Sequence, residues 1–240
     1  MTDTATARGQ DDARHAKTVP AFTFIECFCG IGGFRLGLEK LGGRCVWACE
    51  SDRDAIMTYE ANFGNRPYHD IRACDPSKIP RYDVLTGGFP CQDFTSLATG
   101  GLSGVQQGLD GARGSLFFEL IRILEATRPP LLFLENVRGL VTMDDGAAIR
   151  RVIEALEAVG YTCRYGLRNS EGVLPQFRRR CFIFGFRDAA AAGRFAMPAS
   201  PSLSPRPSMA DALSDATDPF LRHYTLSSKQ WRRVKQCRAS

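Results

Sequence analysis

The sequence predicts an α/β domain built on a mostly parallel sheet. Short apolar runs alternate with segments of helical period, several of those runs end in glycine or an acidic residue, and 240 residues suffice for one core of that size. Hydrophobic residues make up 44% of the chain and charged residues 24%, the balance of a folded globular protein rather than a disordered chain or a coiled coil. No run of about 18 apolar residues occurs. Met1 to Thr18 is polar and lacks the apolar segment of a signal peptide, so a cytoplasmic protein with no membrane partner is expected.

Residues 1–20 read as a disordered leader. Ala21–Phe28 is a buried strand ending in the loop Cys29-Gly30-Ile31-Gly32-Gly33, and Phe34–Leu41 is a short helix stopped by Gly42-Gly43. Arg44–Cys49 is the next strand and ends at Glu50. Asp52–Phe63 is an amphipathic helix closed by Gly64. Tyr82–Leu85 leads into Thr86-Gly87-Gly88-Phe89-Pro90-Cys91. Between Phe94 and Gly114 lie many Gly, Ser, Thr and Gln residues without periodicity. A loop of that length inside a compact domain is usually functional, and its place after Cys91 makes it a lid. Leu116–Ala126 is a helix ended before Pro129-Pro130, and Leu131–Leu134 is a strand running into Glu135-Asn136. Ala147–Val159 is helical, Cys181–Phe186 is a late strand, and the Pro- and Ser-rich Ala196–Pro207 reads as a linker. The main domain is therefore placed at 21–195, with a linker and a further segment at 196–240.

Nine cysteines in an odd count do not make a secreted disulfide framework. Zinc signatures need two close pairs, or a pair followed by histidines, and only His15, His69 and His223 are present, so no metal is expected. Eight of the nine read as small buried thiols, Cys91 being the exception. The net charge of +5 is uneven: residues 1–160 carry 17 basic and 21 acidic residues, residues 161–240 carry 14 and 5. A basic half of this kind suits a phosphate backbone, and equally a solvated surface.

In the first βαβ unit, Gly30, Gly32 and Gly33 let the backbone approach a ligand closely, and Glu50 ends the second strand where it can accept from ribose hydroxyls. Gly33 directly follows Gly32, so the spacing is not the dinucleotide fingerprint. Another adenosine-containing ligand and a plain tight connection both stay open. Cys91 stands at the C-terminal end of a strand, where open α/β sheets place reactive groups, and Glu135-Asn136 ends another. Gln176, Arg178 and Arg180 alternate just before a late strand, which puts all three on one face. Singly these are a buried thiol, a cap and a solvated edge. Jointly they form a constellation for covalent catalysis.

From about Thr23 to about Trp231 the chain is similar to the cytosine-5 DNA methyltransferases of bacterial restriction–modification systems. The resemblance rests on Phe28-Cys29-Gly30-Ile31-Gly32-Gly33-Phe34, Glu50, Asp70-Ile71, Gly88-Phe89-Pro90-Cys91-Gln92, Arg113-Gly114-Ser115-Leu116-Phe117-Phe118, Glu135-Asn136-Val137 and Gln176-Phe177-Arg178-Arg179-Arg180, in family order. It implies a Rossmann-like fold with helices on both faces of the sheet, S-adenosyl-L-methionine as methyl donor and a cytosine in double-stranded DNA as acceptor. It makes Cys91 the nucleophile that attacks C6, active as the thiolate. Glu135 contacts N3 and the exocyclic amine, protonated or sharing a proton, Arg180 binds O2, and Arg178 supports the site. The base is flipped out beneath the Phe94–Gly114 lid. Phe28, Gly30, Ile31, Gly32, Gly33, Glu50, Ser51, Asp70, Ile71, Pro90 and Leu116 surround the cofactor, and Gln92, Thr95, Ser96, Arg113 and Gln176 face the DNA.

Three positions depart from the family without removing a reactive group: Glu26 stands for the usual Asp, Thr95 for the commoner serine, and Arg179 for a glutamate. After Met209 neither the family's recognition region nor its last two motifs is found. A large subunit of a split enzyme, a truncated product, an RNA-directed relative acting on tRNA and a non-catalytic partner protein are the open readings; intact Cys91, Glu135 and Arg180 argue against the last. A second subunit carrying the recognition region is expected, docked on the end after Met209 through Leu213, Phe220, Leu221 and Trp231. Residues 1–240 alone are then a poor or inactive methyltransferase.

Overall fold

The computed structural model describes residues 19–90 and 116–208. The leader up to Thr18, the lid at Phe94–Gly114 and the docking segment after Met209 lie outside the described residues.

β1 (Phe22–Cys27) is buried over its last four residues, as a central strand covered on both faces must be. Thr23 donates from its amide and its hydroxyl to Asp83 at 2.7 and 2.9 Å, tying the start of β1 to the segment just before Val84. α1 (Gly33–Glu39) leads to β2 (Gly43–Cys49), which pairs in parallel with β1 from Phe22↔Gly43 to Cys27↔Cys49. α2 (Arg53–Phe63) starts where Asp52 accepts the Ala55 amide at 2.8 Å and stops at left-handed Gly64. Two 3₁₀ turns, Ile71–Ala73 and Pro76–Lys78, precede the fully buried β3 (Val84–Gly87). α3 (Leu116–Thr127) buries Phe117, Leu120, Ile123 and Leu124, one stripe at helical spacing. It is followed by β4 (Leu131–Val137), the short α4 (Gly139–Thr142), α5 (Ala147–Ala158), β5 (Thr162–Asn169), β6 (Arg179–Phe186) and α6 (Ala189–Arg194).

The six strands lie in the order β2-β1-β3-β4-β6-β5. β1, β2, β3 and β4 are parallel, and β6 runs antiparallel to β4. On one face Ile25, Cys27, Leu85, Leu132, Leu134 and Ile183 pack with the buried stripes of α3 and α5 in the main core. On the other, Phe34 of α1 meets Phe133 edge-on at 5.0 Å, Phe133 stacks on Phe184 at 4.3 Å, and Tyr59 of α2 packs with Ala48. The result is the mostly parallel, Rossmann-like α/β sheet with helices on both faces that the sequence predicts.

Three elements escape the sequence reading. β5 contains Arg164, Gly166 and Arg168, which break any apolar run; the strand takes the sheet edge, where such residues are tolerated. α4 is a single turn, and α6 is an Ala-rich stretch without amphipathic pattern. β4 is also longer than expected and takes Glu135 and Asn136 into the sheet, because antiparallel β6 pairs with it as far as Val137↔Arg180. Among the described residues no helix is long and apolar enough to cross a membrane.

The described residues fall into two compact units, one of residues 19–90, 116–168 and 179–199, the other of residues 169–178 and 200–208. In the second, Asn169 Oδ1 accepts the Arg178 amide at 3.1 Å, Ser170 Oγ donates to the Gln176 carbonyl at 2.8 Å, and Leu203 donates to the Gly172 carbonyl at 2.8 Å.

Leu132 is fully buried at the centre of the sheet. Leu132→Ala is expected to cost about 2–5 kcal/mol, the range for a buried leucine that leaves a cavity. Urea unfolding is the measurement, and a change under roughly 1 kcal/mol contradicts this placement of the core.

Candidate active site

The turn after β1 is shaped by its backbone. Phe28, Gly30 and Gly32 have φ of 54°, 53° and 92°, a left-handed region costly for the phenylalanine and free for the glycines. A Cβ on Gly32 would overlap the Phe63 ring, whereas a Cβ on Gly30 or Gly33 would meet nothing within 4 Å. The turn is thus closed beneath and open outward. Glu50 at the end of β2 fixes it: one carboxylate oxygen accepts the Gly30 amide at 2.8 Å, the other the Ser51 and Asp52 amides at 2.8 and 2.9 Å. A carboxylate accepts at about four sites, so capacity remains for a ligand hydroxyl. Phe28 is half-buried against the main core, while Ile31 and Ser51 are exposed.

Asp70 and Ile71 occupy the turn after α2 in a way the sequence does not reveal. The Asp70 carboxylate accepts the Arg72 amide at 3.0 Å and pairs with the Arg72 guanidinium at 2.9 Å; hydrogen bonds from Arg72 hold its carboxyl below the usual carboxylate range. Ile71 is buried in the main core. Arg122 of α3, given no role from sequence, grips this turn: it donates to the Ile71 and Cys74 carbonyls, both at 2.9 Å, while paired with Glu119 at 2.7 Å. Leu116 begins α3 and Pro90 follows β3, both half-buried.

Beside the end of β3, Glu135 and Arg180 meet. Arg180 Nε lies 2.8 Å from Glu135 Oε1, with roughly three quarters of each side chain covered. Register explains the meeting, because Val137 faces Arg180 and Glu135 is its same-face neighbour two residues back. Asn136, pointing the other way and buried, donates from Nδ2 to the Phe89 carbonyl at 2.9 Å and accepts the Val137 amide at 2.8 Å. That bond fixes the backbone two residues before Cys91.

Cys91, Gln92, Thr95, Ser96 and Arg113 lie outside the described residues. The shared face expected for Gln176, Arg178 and Arg180 rests on strand alternation, and β6 begins only at Arg179: Arg180 is a strand residue, while Gln176 and Arg178 precede the strand, exposed, in the second compact unit. Cys27, Cys29, Cys45, Cys49, Cys74, Cys163 and Cys181 are unpaired thiols. Burial pushes Cys45 up to about 11 and Cys49, Cys163 and Cys181 to about 12, so none of these is poised as a thiolate. Among the described residues no group of three His, Cys, Asp or Glu side chains is placed to hold a metal ion.

Residues 22–238 match the family model described as C-5 cytosine-specific DNA methylase. The chain is 46% identical over 165 residues to the Type II methyltransferase M.NgoBI of Neisseria gonorrhoeae, which is 68% of this chain and 50% of that protein. It is 39% identical over 182 residues to the Type II methyltransferase M.HpaII of Haemophilus parainfluenzae, 74% of this chain and 49% of the relative. The chain thus spans about half the length of the curated relatives it matches. The solved structure of Entamoeba histolytica methyltransferase EhMeth superposes with a TM-score of 0.60 at 15% identity, covering 82% of this chain and 61% of the other, a likeness of fold alone. Sequence motifs, fold and family match agree: the chain belongs to the C-5 cytosine-specific DNA methylase family.

Proposed function

We propose that this chain carries the cofactor- and base-binding core of a DNA (cytosine-5) methyltransferase, with S-adenosylmethionine as donor and a flipped cytosine of double-stranded DNA as acceptor. The observation that carries the reading is the Glu135–Arg180 pair at 2.8 Å, on the strand whose Asn136 anchors the backbone leading into Cys91. The turn fits the donor: a Cβ on Gly30 or Gly33 would fill the open outer side, and Glu50 keeps acceptor capacity for the ribose. When bound, S-adenosylmethionine supplies a methyl group on a positively charged sulfur. Phe28, Ile31, Gly32, Ser51, Asp70, Ile71, Pro90 and Leu116 complete its surroundings in this reading.

C5 of cytosine is a poor nucleophile. The Cys91 thiolate adds to C6, forming an S–C6 bond and moving an electron pair toward C5, which becomes enamine-like. Glu135 hydrogen-bonds N3 and the exocyclic amine and delivers the proton that neutralises the ring as charge builds there. Arg180 holds Glu135 in place and offers its guanidinium to O2. With the donor bound, C5 takes the methyl group it supplies as that methyl's bond to sulfur breaks, and loss of the C5 proton with β-elimination then breaks the S–C6 bond and returns Cys91. In this reading Gln92, Thr95, Ser96, Arg113 and Gln176 contact the DNA, and Arg178 supports the site. Base contacts specify sequence while phosphate contacts position the protein. The target-reading contacts are placed in the half of the relatives' length that residues 1–240 do not span, supplied in cis or on a second polypeptide.

In the active assembly, Cys91→Ser is expected to lower methyl transfer on the order of a thousandfold or more, since a hydroxyl supplies almost no anion at neutral pH. Tritiated methyl incorporation into duplex DNA measures it, and turnover within about tenfold of wild type refutes the nucleophile. Glu50→Ala strands the Gly30, Ser51 and Asp52 amides and is expected to weaken S-adenosylhomocysteine binding by about 1–3 kcal/mol. Calorimetry returning equal affinities would remove Glu50 from the cofactor site.

A further inference from the structure

We propose that Glu26 is the positioning residue of the glycine turn: its carboxylate holds the first turn of α1 in the geometry that accepts the cofactor, so that its ionisation and cofactor binding are coupled. The inference rests on reading Gly30–Gly33 as the cofactor turn.

Glu26 lies in β1 and is fully buried, yet the chemistry at Cys91 and Glu135 makes no use of it. One carboxylate oxygen accepts the Arg35 amide at 3.0 Å and the other accepts the Tyr59 hydroxyl at 3.1 Å. Gly32 precedes α1 with no side chain to cap it, so the strand beneath supplies the acceptor instead. Arg35 extends the connection. Its guanidinium donates to Tyr59 Oη at 3.1 Å, to Asn65 at 2.6 Å and to Glu39 at 2.8 Å, and lies 4.4 Å from the centre of the Phe63 ring. That same ring closes the underside of Gly32. One buried carboxyl therefore links β1, α1 and α2 around the turn.

The titratable and charged groups facing Glu26 are Arg35 from α1, Tyr59 from α2, Cys45 from β2, and Cys27 and Cys29 from β1 and the turn. Burial pushes the Glu26 carboxyl from 4.5 up to about 7, against the hydrogen bonds from Arg35 and Tyr59. Neutral Glu26 can donate to Tyr59 Oη, whose proton then turns to Cys45 Sγ at 3.7 Å, so both protonation states are satisfied. They are not equivalent, because the Arg35 amide hydrogen-bonds an anionic carboxylate more strongly than a neutral carboxyl. The raised carboxyl contributes stability that is fully present below pH about 4.5 and lost as pH rises through about 7. A ligand that tightens the Arg35 amide onto the carboxylate strengthens the bond that lowers its pKa, so in this proposal binding near pH 7 releases protons.

The test is calorimetry of the full chain with S-adenosylhomocysteine at pH 6, 7 and 8, repeated at pH 7 in phosphate and in imidazole. Wild type is expected to bind up to about tenfold tighter at pH 8 than at pH 6, the change that a one-unit coupling produces, with a buffer-dependent enthalpy at pH 7. Glu26→Gln keeps an acceptor for Arg35 and a donor for Tyr59 and is expected to remain folded in thermal unfolding, yet to lose both the pH slope and the buffer dependence. Glu26→Asp restores the slope with weaker affinity. A slope and buffer dependence in Glu26→Gln equal to wild type overturn the inference, as does wild-type binding that is flat with pH. No binding by wild type at any pH overturns the cofactor reading and this inference with it.

Discussion

At Gly87 three parallel strands meet closely enough that a side chain would press on a neighbouring backbone. An added Cβ would lie 3.1 Å from the Cys27 carbonyl oxygen and 3.6 Å from Leu134, and Gly87 is the residue that pairs with both. In this register β1 and β3 end level at Cys27 and Gly87, and β4 runs on past Leu134 to Val137. Parallel strands deliver their C-terminal ends together, which is why the glycine turn, the segment Gly88–Pro90 and Glu135 share one edge. β6, antiparallel to β4, then brings Arg180 to Glu135 from the opposite direction.

The polar residues buried in the sheet, Glu26, Thr86 and Asn136, lie in the C-terminal halves of these strands. Each costs desolvation and each is satisfied by a neighbouring segment: Thr86 by the Ile25 carbonyl at 2.8 Å, Asn136 by the Phe89 carbonyl, Glu26 by Arg35 and Tyr59. Apolar packing beneath α3 and α5 supplies the rigidity, and these bonds convert it into fixed positions for the loops. Glu50 does the same at lower burial, joining the turn after β1 to the turn after β2. Arg122 extends the scheme to the turn at Ile71–Cys74, so the helix that begins at Leu116 holds one side of the proposed cofactor site.

Much of this was legible in the sequence, for local reasons. α2 is bounded by Asp52 and Gly64, whose capping chemistry is written in the residues themselves, and the glycine turn with Glu50 follows from strand–turn–helix patterning. β5 was not legible, because an edge strand needs no apolar run, and neither was α6, because Ala189–Ala192 carries no periodicity. The ion pair of Glu135 with Arg180 depends on which strand lies beside β4, a choice made by the whole sheet. The same limit explains Gln176 and Arg178: alternation predicts one face only if the strand has begun, and it begins at Arg179. Motif resemblance named roles for Cys91 and Glu135 that periodicity alone leaves open. The grips made by Asn136 and Arg122 are tertiary and became visible only in the fold.

In the proposed reaction the Cys91 thiol bonds covalently to the base while Glu135 and Arg180 hold it. The most direct measurement uses the active assembly, S-adenosylmethionine and a duplex in which the target cytosine carries fluorine at C5. Fluorine cannot leave as a proton, so elimination stops and the adduct persists. Digestion and mass spectrometry are predicted to find the modified nucleotide on the peptide containing Cys91. A stable adduct on any other residue, or methylation of ordinary cytosine with no adduct formed on the fluorinated duplex, would contradict the account.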